Sequence, residues 1–154
     1  MFVHRVLKAL QKNKVKFAIA GGWAVALHGA VRSTVDLDIA VALTQTNMEN
    51  VEKALRAIGL ESRPPLHASD VIQFRTEYIK NRQMMAWRFA SPSNGAEVVD
   101  VLIIEDLRDL SVESIQLRGK QTPVVALEDL IQMKKRSGRP QDLEDIKALK
   151  ELKK

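Results

Sequence analysis

The chain of 154 residues contains no cysteine, few aromatic residues and no long apolar run. Without cysteine, neither a disulfide framework nor a thiolate metal site can form, and a reducing interior, the cytoplasm, is the expected compartment. A helix that crosses a bilayer needs roughly 20 consecutive apolar residues, so we expect no membrane insertion. The amino-terminal segment carries charges among its apolar positions, which is typical of an amphipathic helix and not of a signal peptide.

What the sequence does contain fits one folded unit. Hydrophobic residues make up 45% and charged residues 28%, which is enough apolar material for one core at this length. We therefore expect a single domain over residues 1–154, with a carboxyl-terminal helical segment, about 126–154, packed on it.

The net charge of +5 is concentrated near the carboxyl end. Residues 134–154 carry eight Lys or Arg against four Asp or Glu, which gives +4 for this segment alone. Two interpretations stay open. The segment is either a solvated helical face or a contact surface for a polyanion such as nucleic acid.

Apolar spacing predicts an α+β chain of mixed α/β type. Helices are predicted at residues 2–10, 23–28, 48–58, 127–135 and 142–154, the third capped by Thr44 or Thr46. Strands are predicted at 15–20, 36–43, 71–75, 84–90 and 97–104, followed by a hairpin of 115–117 with 122–125. Residues 61–69, with two prolines, are predicted to be a loop. The strand at 97–104 is the most apolar and is expected inside the sheet.

Asp36 and Asp38 stand two residues apart where an apolar strand begins. Because side chains alternate along a strand, both carboxylates are expected on one face. Two charges at the start of a core strand are costly without compensation, which a divalent cation would supply. Magnesium prefers oxygen ligands, commonly one or two carboxylates together with substrate phosphates. The pair is therefore a candidate Mg²⁺ site.

Asp100 interrupts the strand predicted at 97–104, and an ionised group there needs a partner. If this strand lies beside the strand of Asp36 and Asp38, three carboxylates converge. Three are enough to hold two Mg²⁺ ions for an in-line phosphoryl displacement.

A turn of two glycines, Gly21 and Gly22, directly follows the first apolar strand. Backbone N–H groups at such a helix start are suited to bind phosphate. Arg32, Ser33 and Thr34 precede the acid pair and are candidates to contact phosphate or sugar, with loop solvation as the equal alternative. The remaining conspicuous side chains are interpreted as structural or core residues: His28, Trp23, Trp87, Met84 and Met85.

Two stretches resemble known families. GGWAVALHGAVRSTVDLDIAV is similar to the signature of the nucleotidyltransferase superfamily, which has a DNA polymerase β-like fold. DLIQMKKRSGRPQDLEDIKAL resembles the carboxyl-terminal helices of its small AbiEii-like branch, which includes toxin components of toxin–antitoxin systems. The resemblance implies a nucleotidyltransferase fold, with a central mixed β-sheet flanked by helices and with carboxyl-terminal helices.

The resemblance also implies roles for individual residues. Gly21 and Gly22 would contact a nucleoside triphosphate, Asp36 and Asp38 would be metal ligands, and Asp100 would be the third acid and general base. Further residues implied near the phosphates or the acceptor are Lys134, Arg139 and Asp142. The register at Lys134 could shift by one residue, Gln141 stands where related sequences often have lysine, and Asp145 is an alternative to Asp142.

The predicted activity is the Mg²⁺-dependent transfer of a nucleoside monophosphate from a nucleoside triphosphate to an acceptor hydroxyl, with release of pyrophosphate. The acceptor class stays open among tRNA, protein and small molecules, and a homodimer or partner protein is an open possibility for completing its site. The alternatives are a catalytically weak nucleotide-binding module and a toxin–antitoxin partner protein.

Overall fold

The strands of the chain form one seven-stranded sheet. A computed structural model describes residues 1–31 and 34–154. The helices are α1 (Phe2–Lys12), α2 (Gly21–Leu27), α3 (Gln45–Ala57), α4 (Ala68–Arg82), α5 (Leu127–Ser137) and α6 (Pro140–Leu152). The strands are β1 (Phe17–Ala20), β2 (Leu37–Val41), β3 (Glu61–Arg63), β4 (Ala86–Ala90), β5 (Val98–Asp106), β6 (Val112–Leu117) and β7 (Lys120–Val125).

The sheet is mixed, and its order is β3-β4-β5-β2-β1-β7-β6. The β2–β5 and β1–β7 pairs are parallel, and the other neighbours are antiparallel. This arrangement confirms the predicted mixed sheet flanked by helices, the hairpin of β6 with β7, and the interior position of β5.

Helices cover both faces of the sheet. Side chains alternate along β5, so Val99, Val101 and Ile103 are buried on one face and Asp100 points to the other. Arg56 of α3 lies over the ring of Phe89 on the first face, and α3 packs against α1 and α4. On the opposite face, α2, α5 and α6 contact one another. No helix among the described residues is both long and apolar enough to cross a bilayer.

The strand predicted at residues 71–75 is wrong, because these residues belong to α4. Two contacts fix the start of this helix. The His67 backbone N–H donates to the Asp70 carboxylate at 2.9 Å, and the Ala68 N–H donates to Glu52 of α3 at 2.7 Å. Both donors are backbone groups at a helix start, which side-chain carboxylates commonly satisfy. The mixture of apolar and polar side chains over residues 71–75 is also typical of a strand, but the two contacts at residues 67 and 68 start a helix there.

The loop predicted at residues 61–69 is partly wrong, because it begins with β3 at the edge of the sheet. Ser62 is buried there, and its hydroxyl accepts a hydrogen bond of 2.7 Å from the indole N–H of Trp87. The indole N–H of a buried Trp usually has a hydrogen-bond partner, and this hydrogen bond joins the short polar strand β3 to β4. Thr44 is the cap of α3, since its hydroxyl accepts from the Asn47 N–H at 3.2 Å.

Candidate active site

A row of charged side chains crosses three neighbouring strands. Arg88 of β4 pairs in register with Asp100 of β5, and Asp100 pairs with Asp38 of β2. Asp38 is in turn opposite Ala20 of β1, which directly precedes Gly21. Residues directly opposite each other in neighbouring strands project from the same face of a sheet. The parallel pairing of β2 with β5 thus brings Asp38 and Asp100 together, as the sequence predicts.

Gly21 is held against the carboxylate of Asp38. Its φ of +59° lies in the left-handed region, and a β-carbon at this position would lie 2.8 Å from Cγ of Asp38 and overlap the carboxylate oxygen. Only glycine avoids both the strain and the overlap. Gly22 follows as a buried residue in the first turn of α2, whose start has no side-chain cap.

Arg88 connects Asp100 with Asp36. Its Nε and Nη2 donate to the two Asp100 carboxylate oxygens at 2.9 and 3.0 Å, and Nη2 lies 3.3 Å from Oδ2 of Asp36. The Thr34 hydroxyl donates to the Asp36 carbonyl at 3.4 Å and so contacts backbone next to the site. The other two residues predicted beside Thr34, Arg32 and Ser33, lie outside the described residues.

Asp38 is the least compensated of the three acids. Burial, followed by the charge of Asp100, raises its pKa from 3.8 to about 6, although the charge of Lys134 acts in the opposite direction. A carboxyl group with such a pKa is in an environment that disfavours its negative charge. A cation bound beside Asp38 would remove this penalty.

A buried ion cluster in α5 and α6 lies across the cavity from Asp38 and Asp100. Residue Lys134 is only 7% exposed, and its ammonium lies 3.3 Å from Asp142 and 3.0 Å from Asp145. Lys135 is exposed, so the buried position falls on Lys134. Gln141, at the position where related sequences often have lysine, donates to Asp145 at 3.1 Å.

Asp142 also holds Arg139. The Arg139 backbone N–H and Nε donate to one Asp142 oxygen at 3.1 and 2.9 Å. Burial alone would raise the pKa of Asp142. The hydrogen bonds from Arg139 and Ser137 and the charge of Lys134 outweigh burial and hold that pKa well below its usual range. Asp142 therefore stays ionised and keeps the exposed Arg139 guanidinium in place.

These groups surround a cavity of about 590 Å³. It brings together six of the residues predicted for the site: Gly21, Asp38, Asp100, Lys134, Arg139 and Asp142. Gly22, Thr34 and Asp36 do not line the cavity, and Asp36 is connected to it through Arg88. A volume of this size is typical of a small-molecule or cofactor site.

Sequence reasoning missed three components of this region. Arg88 gives no signal until β4 is known to pair with β5. Glu105 and Arg136, which line the cavity and form an ion pair of 2.6 Å, likewise come from distant segments. Met85, predicted to be core, is 51% exposed and lines the cavity, so that prediction is wrong. It lies just before β4, where the chain leaves α4, and its carbonyl accepts a hydrogen bond of 3.1 Å from the Ile103 N–H.

The other side chains predicted to be core or structural are found in such positions. Trp87 is fully buried, Met84 and Trp23 pack against the core, and His28 is a structural residue whose Nε2 lies 2.9 Å from the Val125 carbonyl oxygen.

The donor set fits a divalent cation in its chemistry. Asp36, Asp38 and Asp100 offer only carboxylate oxygens, which hard cations such as Mg²⁺ prefer, and the raised pKa of Asp38 shows that burial and Asp100 outweigh the positive charges of Lys134 and Arg139. Within residues 1–31 and 34–154, no three acidic or histidine side chains stand close enough to form a ready-made metal centre, and Arg88 contacts both Asp36 and Asp100.

Known structures share this fold. Two structures of the antibiotic-resistance factor ANT(2'')-Ia cover 96% of this chain. The solution structure has a TM-score of 0.67 and 12% sequence identity, and the match covers 80% of its own chain. The complex with adenylyl-2''-tobramycin has a TM-score of 0.65 and 14% sequence identity, and the match covers 84% of its own chain. The lincosamide antibiotic adenylyltransferase LnuA, bound to lincomycin, has a TM-score of 0.61 and 19% sequence identity. The match covers 98% of this chain and 96% of the LnuA chain. These likenesses establish the nucleotidyltransferase fold.

Family assignment follows from the sequence. A search of curated proteins gave no match. The model of the aminoglycoside-2''-adenylyltransferase family matches residues 2–149, nearly the whole chain. This match supports the nucleotidyltransferase superfamily inferred from the sequence and lends no support to its AbiEii-like branch. The chain belongs to the aminoglycoside-2''-adenylyltransferase family.

Proposed function

We propose that the chain transfers a nucleoside monophosphate from a nucleoside triphosphate, with ATP as the first candidate, to a hydroxyl group of a small molecule such as an antibiotic. The observation that carries the proposal is the row of Asp38 and Asp100 in register beside Gly21, at the edge of one cavity. Family membership and the antibiotics bound in the related structures favour ATP and a small-molecule acceptor over tRNA or protein.

The triphosphate would lie between Gly21 and the carboxyl-terminal helices. The first turn of α2 offers backbone N–H groups without a side-chain cap, and Lys134 and Arg139 supply positive charge across the cavity. Phosphate oxygens are well matched to such N–H groups and to a guanidinium. Asp142 would fix the direction of Arg139 without itself contacting the nucleotide.

Asp100 is the proposed general base. The acceptor hydroxyl gives its proton to an Asp100 oxygen while its own oxygen bonds to the α-phosphorus, and the bond from that phosphorus to the bridging oxygen breaks, so pyrophosphate leaves. Asp36 and Asp38, with Asp100, are the proposed ligands of Mg²⁺, two ions at most. When bound, magnesium neutralises charge on the phosphates and orients them for in-line displacement. Arg88 would keep Asp100 oriented toward the cavity through its paired hydrogen bonds.

The test is transfer of label from α-labelled ATP with magnesium, offered a panel of antibiotics and total tRNA. We expect labelled antibiotic and no labelled tRNA. Asp38→Asn should lower transfer at least ~10³-fold, because it removes charge where electrostatic stabilisation is greatest. Asp109→Asn, in the exposed turn after β5, is the matched control and should retain activity. Transfer that survives Asp38→Asn would refute the proposed role.

A second candidate is a nucleotide-binding module without turnover. The observation in its favour is Arg88, whose guanidinium already neutralises Asp36 and Asp100. This candidate predicts that ATP raises the melting temperature in the presence of magnesium while no acceptor becomes labelled. A toxin–antitoxin partner protein, which the AbiEii-like resemblance suggests, would instead retain tRNA or a protein independently of ATP.

A further inference from the structure

The cavity has an apolar wall that the proposed chemistry does not use. We define this apolar wall as six residues, Met85, Ala86, Leu102, Ile104, Leu130 and Met133. Met85 is 51% exposed and Ile104 is 38% exposed, so large apolar surface is left in contact with water. Apolar surface inside a cavity is typical of ligand contact, whereas scattered exposed residues need no explanation.

The apolar wall starts beside Asp100 and extends away from Gly21. Leu102 and Ile104 follow Asp100 at intervals of two along β5 and so project from the same face, and Ala86 of β4 pairs with Leu102. Gly21 lies on the other side of Asp38, after β1. If the triphosphate lies at Gly21 and the acceptor hydroxyl at Asp100, the wall is on the acceptor side.

Most carboxylates that line the cavity already have a cationic partner. Among the described residues that line it, every carboxylate other than Asp38 contacts an Arg or Lys. Asp100 is bound by Arg88, Glu105 by Arg136, and Asp142 by Lys134 and Arg139. A polycationic acceptor would have to displace these side chains one by one, since each carboxylate already has its partner.

From these two observations we propose that the acceptor has an apolar face that packs on the apolar wall and carries at most one positive charge. This inference rests on the proposed function, and it departs from the polycationic acceptor that the family name suggests. A hydroxylated, amphipathic molecule meets the description, because its hydroxyl reaches Asp100 while its apolar part covers Leu102 and Ile104.

The test uses two antibiotics of opposite chemistry. Lincomycin combines hydroxyl groups with an apolar chain and a single amine, whereas tobramycin carries several amines. Each is titrated calorimetrically into the protein loaded with magnesium and α,β-methylene-ATP, which does not transfer its nucleotide. We expect lincomycin to bind with a Kd at least ~10-fold lower than tobramycin, because Asp38 would be occupied by magnesium and the other carboxylates that line the cavity already contact an Arg or Lys. Tighter binding of tobramycin, or binding of neither antibiotic, would overturn the inference.

A charge placed on the apolar wall provides the second measurement. Ile104→Glu should raise the Kd of lincomycin at least ~10-fold, because a carboxylate must then be desolvated against an apolar group. The affinity for α,β-methylene-ATP should stay within about 2-fold, since the site of the triphosphate lies beyond Asp38. Leu143→Glu, on the outer side of α6 and 54% exposed, is the matched control and should change neither.

The variant also distinguishes the two possible occupants of the wall. If Ile104→Glu weakens the nucleotide analogue and leaves lincomycin unchanged, the wall holds the nucleobase and the inference is wrong. Failure of the proposed function has a different signature. Lincomycin would then bind and respond to Ile104→Glu as expected, but no label would pass to it from ATP.

Discussion

Arg88 and Asp100 stand opposite each other on β4 and β5 and are joined by two hydrogen bonds of 2.9 and 3.0 Å. The same guanidinium reaches Asp36 at 3.3 Å, so one cation serves two of the three acids. The pKa of Arg88 is raised, first by its hydrogen bond to Asp100 and then by the charge of that residue. Arg88 therefore remains charged and acts as a built-in counter-ion.

Removing this counter-ion should make the stability of the protein depend more strongly on magnesium. Because the Arg88 side chain is half exposed, we expect Arg88→Gln to lower the free energy of unfolding by roughly 1 kcal/mol or less in chelator. Magnesium should restore most of that loss by replacing the cation. Thermal unfolding with EDTA and with MgCl₂ measures both effects.

The control for this experiment is Arg108→Gln. Arg108 pairs with Asp106 outside the cavity, so magnesium should not rescue its variant. Equal magnesium responses of the two variants would show that Arg88 has no special relation to the acid site.

The raised pKa of Asp38 predicts how stability changes with pH. In metal-free buffer the folded state holds the Asp38 proton up to about pH 6, whereas the unfolded chain releases it near the ordinary value of 3.8. The folded state thus binds more protons between these values, and the free energy of unfolding falls as pH rises through that window. Ionised Asp38 is destabilising above it.

Asp38→Asn should remove this dependence. At pH 7 to 8 the variant is expected to be more stable than the wild type by up to ~3 kcal/mol, and the difference should shrink as pH falls from about 6 toward about 4. Urea unfolding at a series of pH values gives the two curves. Parallel curves across this range would contradict the burial of Asp38.

Gly21 should not tolerate a side chain. Gly21→Ala places a methyl group against Asp38 at a left-handed backbone position, which costs ~1–2 kcal/mol for conformation alone. We expect it to abolish both nucleotide transfer and the stabilisation of the protein by ATP with magnesium. Gly95→Ala is the matched control, since nothing lies within 4 Å of its added carbon and its φ is not positive. Normal ATP stabilisation of Gly21→Ala would place the nucleotide elsewhere.

The buried cluster of α5 and α6 should depend on Asp142. Asp142→Ala leaves the buried Lys134 with one acidic partner fewer and releases Arg139, so we expect a loss of about 3 kcal/mol or more in unfolding free energy. Glu144→Ala, on the exposed side of α6, should change stability by less than about 0.5 kcal/mol. Chemical denaturation compares the two. A loss as small as that of Glu144→Ala would mean that the cluster is dispensable.

Much of the acid site is encoded locally. Gly21 follows an apolar strand, and the Asp-x-Asp spacing at the start of the next one suggests a phosphate and metal site, although Asp36 itself lies just before β2 and does not line the cavity. Asp100 stands out because it interrupts an apolar run. Arg88 could not be found in this way, since its partner depends on which strands pair. The same holds for Met85, which reaches the cavity through the pairing of its strand region with β5. The strand predicted at residues 71–75 is wrong in part because the start of α4 also depends on Glu52, which belongs to another helix.

The parallel pairing of β2 with β5 has a consequence for how the site comes into being. Asp38 and the glycine turn adjoin through neighbouring strands, but the chain between β2 and β5 holds α3, β3, α4 and β4. Asp100 reaches Asp38 only when β5 pairs with β2, so this pairing must close the long loop that contains these four elements. A ligand that contacts both Asp38 and Asp100 therefore binds only a state in which this pairing is formed, and its occupancy reports that the loop is closed.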